Sequence, residues 1–453
     1  MRMLLAVFFN AALLAVLLPW LRRQWAWAGG FGWRGVFAGG LLLRMGTGLA
    51  RALPLRMDAK YMHDFSQLLT ARLWATPGRA WQVLTQAVTI FPTLHDGDIV
   101  YQNSSNTWFL IKLLALLNLA SHGIGWLNAL YLSLFAFAGC WMLVRALAES
   151  LPATPAGAGV VALLLWPSVW FWASGISKEA VLLGSGAWLT ARVLGRLYGP
   201  QLLPQRSAPV AAAWWLGTGL LAGLHVATRY FFALPLLAVL AGLSLGRVLE
   251  RLGLGRRRAA LAGLVLVLGA GSWLGPQLSV AFRVNKLLNQ VVRIYSAEIQ
   301  TSAGRPHFEY PDLRPTPGSV IAHMPRAVAN CLTRPWLGES RQPALVATGC
   351  ENAGLLLLLL AAIVAWLRGR GGRLPFGLGA GLALLCLVLA FLIGLTTPNL
   401  GSLHRYRSEL LPFLLLLLLQ PEYAATALRR LGLNGRPALV AGPAPGPELP
   451  PGA

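Results

Sequence analysis

Hydrophobic positions in this chain fall into long blocks separated by short polar stretches. The blocks at 3–21, 124–145, 157–173, 180–197, 210–226, 230–248, 259–275, 353–368, 375–395 and 410–420 read as membrane spans, most of them near the roughly 20 apolar residues a crossing requires. The block at 35–53 carries Arg44 and Arg51, so it is either a weak second span or an amphipathic helix in the interface. Backbone groups in hydrocarbon must be satisfied within their own segment, so the expected fold is all-α, a polytopic membrane helical bundle of about 10–12 transmembrane helices.

The first block ends in Pro19-Trp20, precedes Arg22-Arg23 and lacks a small-x-small cleavage site, which favours a retained helix over a signal peptide. The pattern divides the chain into N-terminal membrane helices (1–53), an outer acidic loop with a short interfacial helix (54–121) and a central bundle (122–275). A basic outer segment (276–352), C-terminal transmembrane helices with a cytoplasmic end (353–440) and a Pro/Gly-rich, disordered tail (441–453) follow. Within 276–352, the apolar spacing of 280–300 predicts a helix lying on the membrane or capping a cleft.

Composition agrees with lipid. The chain is 56% hydrophobic and only 12% charged, with a mean hydropathy of +0.60, which excludes an ordinary soluble domain. The net charge of +23 comes from short basic clusters between apolar runs and not from one aromatic-basic face, so membrane lipid is the expected partner and nucleic acid is not. Clusters at 192–196, 247–258, 368–373 and 429–430 mark cytoplasmic connections. The opposite, non-cytoplasmic face then receives 54–106, 174–179, Arg229, 276–352 and 396–409, and with them every candidate reactive residue.

Four of the five aspartates, Asp58, Asp64, Asp96 and Asp98, lie between positions 58 and 98. A carboxylate just outside the bilayer suits a general base, so Asp58 and Asp64 are the catalytic candidates, with Tyr61 and His63 beside them as substrate contacts. Pairing with Lys60 or Arg56 is the plain alternative. Asp96 and Asp98 place two hard oxygen ligands on a turn and make a candidate site for a divalent cation, although Asp-Gly is also an ordinary turn dipeptide. Lys178 and Glu179 open a span and are read either as a mutual ion pair or as contacts to a phosphate and a sugar. Arg229, Arg405 and Arg407 sit at span ends, where the guanidinium fork matches phosphate oxygens. Cys331 and Cys350 share one polar segment and form a candidate disulfide if that segment faces an oxidising compartment.

Several stretches together resemble a family. The acidic loop after an N-terminal helix, Ser174-Gly175 with Glu179 opening a span, the segment Leu221 to Arg229, and Arg405-Tyr406-Arg407 followed by Leu410 to Phe413 resemble the GT-C class of polytopic glycosyltransferases. Within that class the nearest resemblance is to the bacterial dolichyl-phosphate-mannose-protein mannosyltransferase-like group, over roughly residues 54–420. The resemblance implies transfer of a sugar from a polyprenyl-phosphate donor to a glycan or glycolipid acceptor on the outer face of a bacterial inner membrane. It implies Asp58 as base, followed by Tyr61, with basic residues on the phosphate. Ala59 and Met57 depart from the acid and glycine common at those places. A surface-polysaccharide polymerase or ligase, leaning on arginines more than on an acid, and a non-enzymatic envelope lipid transporter or assembly component are the other readings.

Overall fold

A computed structural model of the chain describes residues 1–91, 99–102, 105–199 and 208–434. Asp96, Asp98 and the tail at 441–453 lie outside them.

The N-terminal part holds α1 (Arg2–Gly30), α2 (Arg34–Ala52), α3 (Met57–Ala75), α4 (Ala80–Thr85), strands β1 (Val88–Phe91) and β2 (Ile99–Gln102), and α5 (Asn106–Ser121). The centre holds α6 (Gly125–Ser150), α7 (Gly157–Val160), α8 (Pro167–Trp172), α9 (Lys178–Tyr198), α10 (Ala208–Arg251) and α11 (Arg256–Leu278). Then come α12 (Val284–Thr301), α13 (Pro317–Thr333), α14 (Pro343–Leu367), α15 (Phe376–Thr396), α16 (Leu400–Arg407), α17 (Leu411–Leu418) and α18 (Glu422–Arg430). β1 and β2 pair antiparallel, with Val88 opposite Gln102.

The fold is the expected all-α polytopic bundle, with fewer crossing-length elements than the pattern suggested. Among the described residues, six helices, α1, α6, α10 (counted once, though it bends back on itself), α11, α14 and α15, are long and apolar enough to cross a membrane, or up to eight if the bent pairs α2–α3 (77°) and α17–α18 (98°) each count as one span. The chain is therefore a multi-pass membrane protein. The block at 157–173 falls short because it is broken: Trp166 N–H reaches back to Val161 O at 2.9 Å, a π-turn, and Pro167 then opens the short α8. The block at 410–420 stops after the eight residues of α17.

The blocks at 210–226 and 230–248 are the two limbs of α10, whose backbone leaves helical geometry at Arg229 (φ −158°, ψ 92°). Contacts with α9 show the reversal. Arg192 reaches Trp214 O at 2.6 Å, Ser185 Oγ meets His225 Nδ1 at 2.9 Å, and Arg229 meets Glu179 at 2.9 Å. Past that residue the order runs backward along α9, to Arg247 and Leu197 O at 3.2 Å. Arg229 is the apex of a helical hairpin.

Small residues set how closely the helices pack, as expected where lipid removes a hydrophobic drive between them. A Cβ on Gly139 of α6 would overlap the Gly184 carbonyl of α9, and one on Gly394 of α15 would overlap Ala327 O of α13.

Two stretches read as peripheral are built in. Much of the expected 54–106 loop is α3, and α5, expected at the interface, is a core helix with Trp108, Leu110, Ile111 and Leu114 fully buried. Asn118 of α5 donates to Ser66 Oγ (3.0 Å) and Thr70 Oγ1 (3.1 Å) of α3 and accepts from Asn128 of α6 (2.6 Å), so its amide and both hydroxyls find partners inside the bundle. The 276–352 segment is largely α12, α13 and the start of α14. Its residues 306–308 pair with 398–400 through Phe308 N–H to Pro398 O (3.2 Å) and Leu400 N–H to Pro306 O (3.1 Å). That pairing fixes the start of α16.

Candidate functional site

Four elements from distant parts of the chain bring charged groups to one face. Asp58 lies in the first turn of α3. Glu179 lies in the first turn of α9, whose N-cap Ser177 accepts from Ala180 N–H at 3.1 Å, a position where the helix dipole favours an anion. Arg229 is the apex of the α10 hairpin, and Arg405 is in the last turn of α16.

Arg405 joins them. Its Nε and Nη2 donate to the two oxygens of Glu179 at 2.9 and 3.0 Å, a bidentate fork, while Nη1 donates to Asp58 Oδ2 at 2.8 Å. Arg229 Nη2 holds Glu179 Oε1 at 2.9 Å, and its guanidinium lies 4.4 Å from the centre of the Tyr406 ring. The two ends of the network differ in burial: the Glu179 side chain is 0% exposed and that of Asp58 is 69% exposed.

Burial pushes the Glu179 carboxyl up, and the cations of Arg405 and Arg229 outweigh it, holding the group at about 2. Burial also works against the Arg405 cation, but the Glu179 carboxylate prevails and keeps it above its ordinary value. Lys178 goes the other way: burial, then the Arg229 charge, bring its ammonium down to about 8. Its Nζ donates to Asn106 Oδ1 (3.0 Å) and Thr107 Oγ1 (2.7 Å) at the start of α5, so Lys178 and Glu179 are not each other's partners.

Arg51 of α2 adds a further cation. It donates to the carbonyls of Phe171 (2.6 Å), Trp172 (3.2 Å) and Ser174 (2.7 Å) at the end of α8, and it acts electrostatically on Glu179 and Arg405. Arg51, Lys178, Arg229 and Arg405 thus surround the carboxylates of Asp58 and Glu179. The site carries more positive than negative charge.

Of the expected site residues, Asp58, Lys178, Glu179, Arg229 and Arg405 meet here; Asp96 and Asp98 fall outside the described residues, and the remaining ones lie elsewhere. Asp64 pairs with Lys60 at 2.6 Å on the exposed side of α3. His63 is buried and its Nε2 meets Gln67 at 3.1 Å. The Tyr61 hydroxyl hydrogen-bonds the Tyr101 hydroxyl on β2. Arg407, two residues past Arg405, faces the opposite side of α16 and donates to Arg334 O (2.8 Å) and Asn352 Oδ1 (2.7 Å). Cys331 and Cys350 are both free, the first buried in α13 and the second exposed on α14, so the candidate disulfide is not formed. Among the described residues no group of three or more His, Cys, Asp or Glu could hold a metal ion.

Sequence reasoning passed over the supports. Trp172 Nε1 donates to His404 Nδ1 at 3.1 Å, and Ser168 Oγ donates to Glu351 Oε1 at 2.5 Å, with Glu351 Oε2 3.6 Å from His404 Nε2. This chain ties α8, α14 and α16 together behind Arg405. Arg44 was a visible anomaly in an apolar block. It is 1% exposed and donates to Leu163 O (3.0 Å) and Ala173 O (3.1 Å). Leu163 O belongs to the last turn before Trp166 leaves helical geometry, where carbonyls lack an intrahelical partner.

Comparison of the chain with protein-family models, with curated proteins and with solved structures found no match.

Proposed function

We propose that the protein is an integral-membrane glycosyltransferase that moves a sugar from a polyprenyl-phosphate donor to a glycan or glycolipid acceptor, on the outer face of a bacterial inner membrane. One observation carries the reading: four cations gather around two carboxylates at one face of a multi-pass bundle. Buried charge is costly unless balanced, so this excess calls for an anionic ligand, and a lipid phosphate arrives at that depth with its sugar attached.

The two ends of the network suggest how the groups divide the work. The exposed Asp58 contact is the weaker of Arg405's two, because water competes for it, whereas the Glu179 fork is shielded. An incoming phosphate displaces Asp58 from Arg405 and leaves Glu179 in place. The freed Asp58 carboxylate then accepts the proton of the acceptor hydroxyl as that oxygen attacks the anomeric carbon. Arg405, Arg229 and Lys178 stabilise the charge that develops on the departing phosphate, an effect worth roughly 3 kcal/mol for a well-placed donor.

The test is sugar transfer by purified variants in proteoliposomes. Asp58→Asn is expected to lower kcat by roughly a hundredfold to ten-thousandfold while the protein stays inserted and folded. Normal turnover in that variant removes Asp58 as base. The pairing of Asp58 with Arg405 also favours a second reading, a polymerase or ligase in which the arginines dominate. In that case Arg405→Ala abolishes activity and Asp58→Asn does not.

A further inference from the structure

Glu409, between α16 and α17, has no part in the scheme above. Its side chain is 95% buried, and Oε1 has no hydrogen-bond partner among the described residues. It lines a cavity of about 20 Å³ with His225, Gly186, Phe232, Leu236 and Phe413, enough room for one water. A buried carboxyl oxygen left without a hydrogen bond is an expensive thing to keep unless it has another use.

Its surroundings suggest the use. The charged and titratable groups facing it are Arg44 from α2, Cys140 from α6, Glu179 from α9, His225 and Arg229 from α10, and Arg405 from α16. Burial, followed by the Glu179 charge, drives this carboxyl toward its protonated form, and Arg229, Arg405 and Arg44 pull it toward the ionised one. An ionised Glu409 answers the same arginines that an incoming anion must use. A protonated Glu409 leaves them free.

We infer that Glu409 is a proton-binding site linked to anion binding, so that a phosphate group enters the Arg229–Arg405 cluster together with one proton carried on Glu409. This rests on the reading of the cluster as a phosphate site. The anion cancels the pull of the arginines, and Glu409 then holds its proton more firmly. By linkage the effect is reciprocal: a proton on Glu409 strengthens anion binding.

The experiment compares the full-length protein with Glu409→Gln, which keeps the shape and removes the titration. Binding of geranylgeranyl monophosphate in detergent micelles, and of inorganic phosphate in a second arm, is measured by calorimetry across neutral to alkaline pH. Two buffers of different ionisation enthalpy at each pH give the protons taken up. The wild type is expected to take up to one proton more per anion bound than Glu409→Gln. Its affinity is expected to fall up to about tenfold more per pH unit. Lys178 titrates in the same range and so does the phosphate, but both act alike in the two proteins. Glu409→Asp, which keeps a carboxyl, restores the difference. Binding of the lipid alone assigns the phosphate to a lipid headgroup, and equal binding of inorganic phosphate assigns it to a free anion; the proton difference in either arm supports the inference. Equal proton counts and equal pH slopes in wild type and Glu409→Gln overturn it while the phosphate reading stands. Failure of the wild type to bind either probe overturns both.

Discussion

The ion network can be tested one side chain at a time. Glu179 is the only carboxylate of the cluster that both Arg229 and Arg405 grip, and it is fully buried. Glu179→Gln leaves two guanidinium groups facing an amide, and breaking a buried pair in this way costs roughly 3–5 kcal/mol. The expected outcome is a lowered Tm in detergent, with the added prediction that Glu179→Asp recovers part of it. The acid limb of the stability profile follows from the same group. The folded carboxyl sits at about 2, below its ordinary value near 4.5, so its contribution is complete above pH 4.5 and is lost as pH falls through that interval toward 2. Thermal scans of wild type and Glu179→Gln should therefore converge as pH drops below 4.5. At this scale the sequence was only partly legible. The rarity of acids singled out Asp58, and charges at span ends singled out Glu179, Arg229 and Arg405. Arg407 looked equivalent to Arg405, yet two residues on a helix point to opposite sides, and spacing alone ruled out one shared phosphate.

Whole elements show where hydrophobic pattern stops being informative. Lipid spans are apolar all round, so the pattern located α1, α6, α11 and α15, caught α14 except for its first ten residues, and divided α10 at its hairpin apex. It failed for α3 and α5, whose polar residues face each other inside the bundle. Ser66, Thr70 and Asn118 satisfy one another, and in a linear reading they looked like solvent-facing positions. Close helix approach is equally silent in hydropathy, because a glycine at a crossing scores like any other small residue. The crossing of α6 and α9 at Gly139 and Gly184 orients Glu179 at the head of α9, which gives it a functional reading. Gly139→Val places side-chain atoms on the Gly184 carbonyl, and overpacking of this sort costs typically 1–3 kcal/mol or forces the helices apart. We expect reduced yield of folded protein by size-exclusion chromatography, together with lost activity in whatever folds. Gly195 on α9, the helix of Gly184, has open space around its Cβ position and serves as the control, with Gly195→Ala expected to be neutral or slightly stabilising.

For the molecule as a whole, the reading depends on which side of the membrane the cluster faces. By the positive-inside rule, the basic connections at 192–196, 247–258 and 368–373 are expected on the cytoplasmic side, and the proposed function puts the cluster at the opposite end. The chain carries its own reporter of that assignment. Of its four cysteines, Cys140, Cys331 and Cys386 are buried and Cys350 is exposed. Cys350 neighbours Glu351 and lies two residues from Thr348, whose hydroxyl is 3.3 Å from His404 Nδ1, so it marks the end of the bundle that holds Arg405. A membrane-impermeant maleimide applied to intact spheroplasts should label the wild type once, and Cys350→Ser should abolish the signal. Labelling that appears only after permeabilisation inverts the molecule. The site would then face the compartment where nucleotide-activated sugars are available, and the case for a lipid-linked donor would lose its physical basis, since that case rests on chemistry carried out where no such nucleotide is present. Labelling from outside leaves the excess of cations exposed to the leaflet where a polyprenyl phosphate presents its sugar, and the charge argument can then be taken to Asp58 and Arg405 directly.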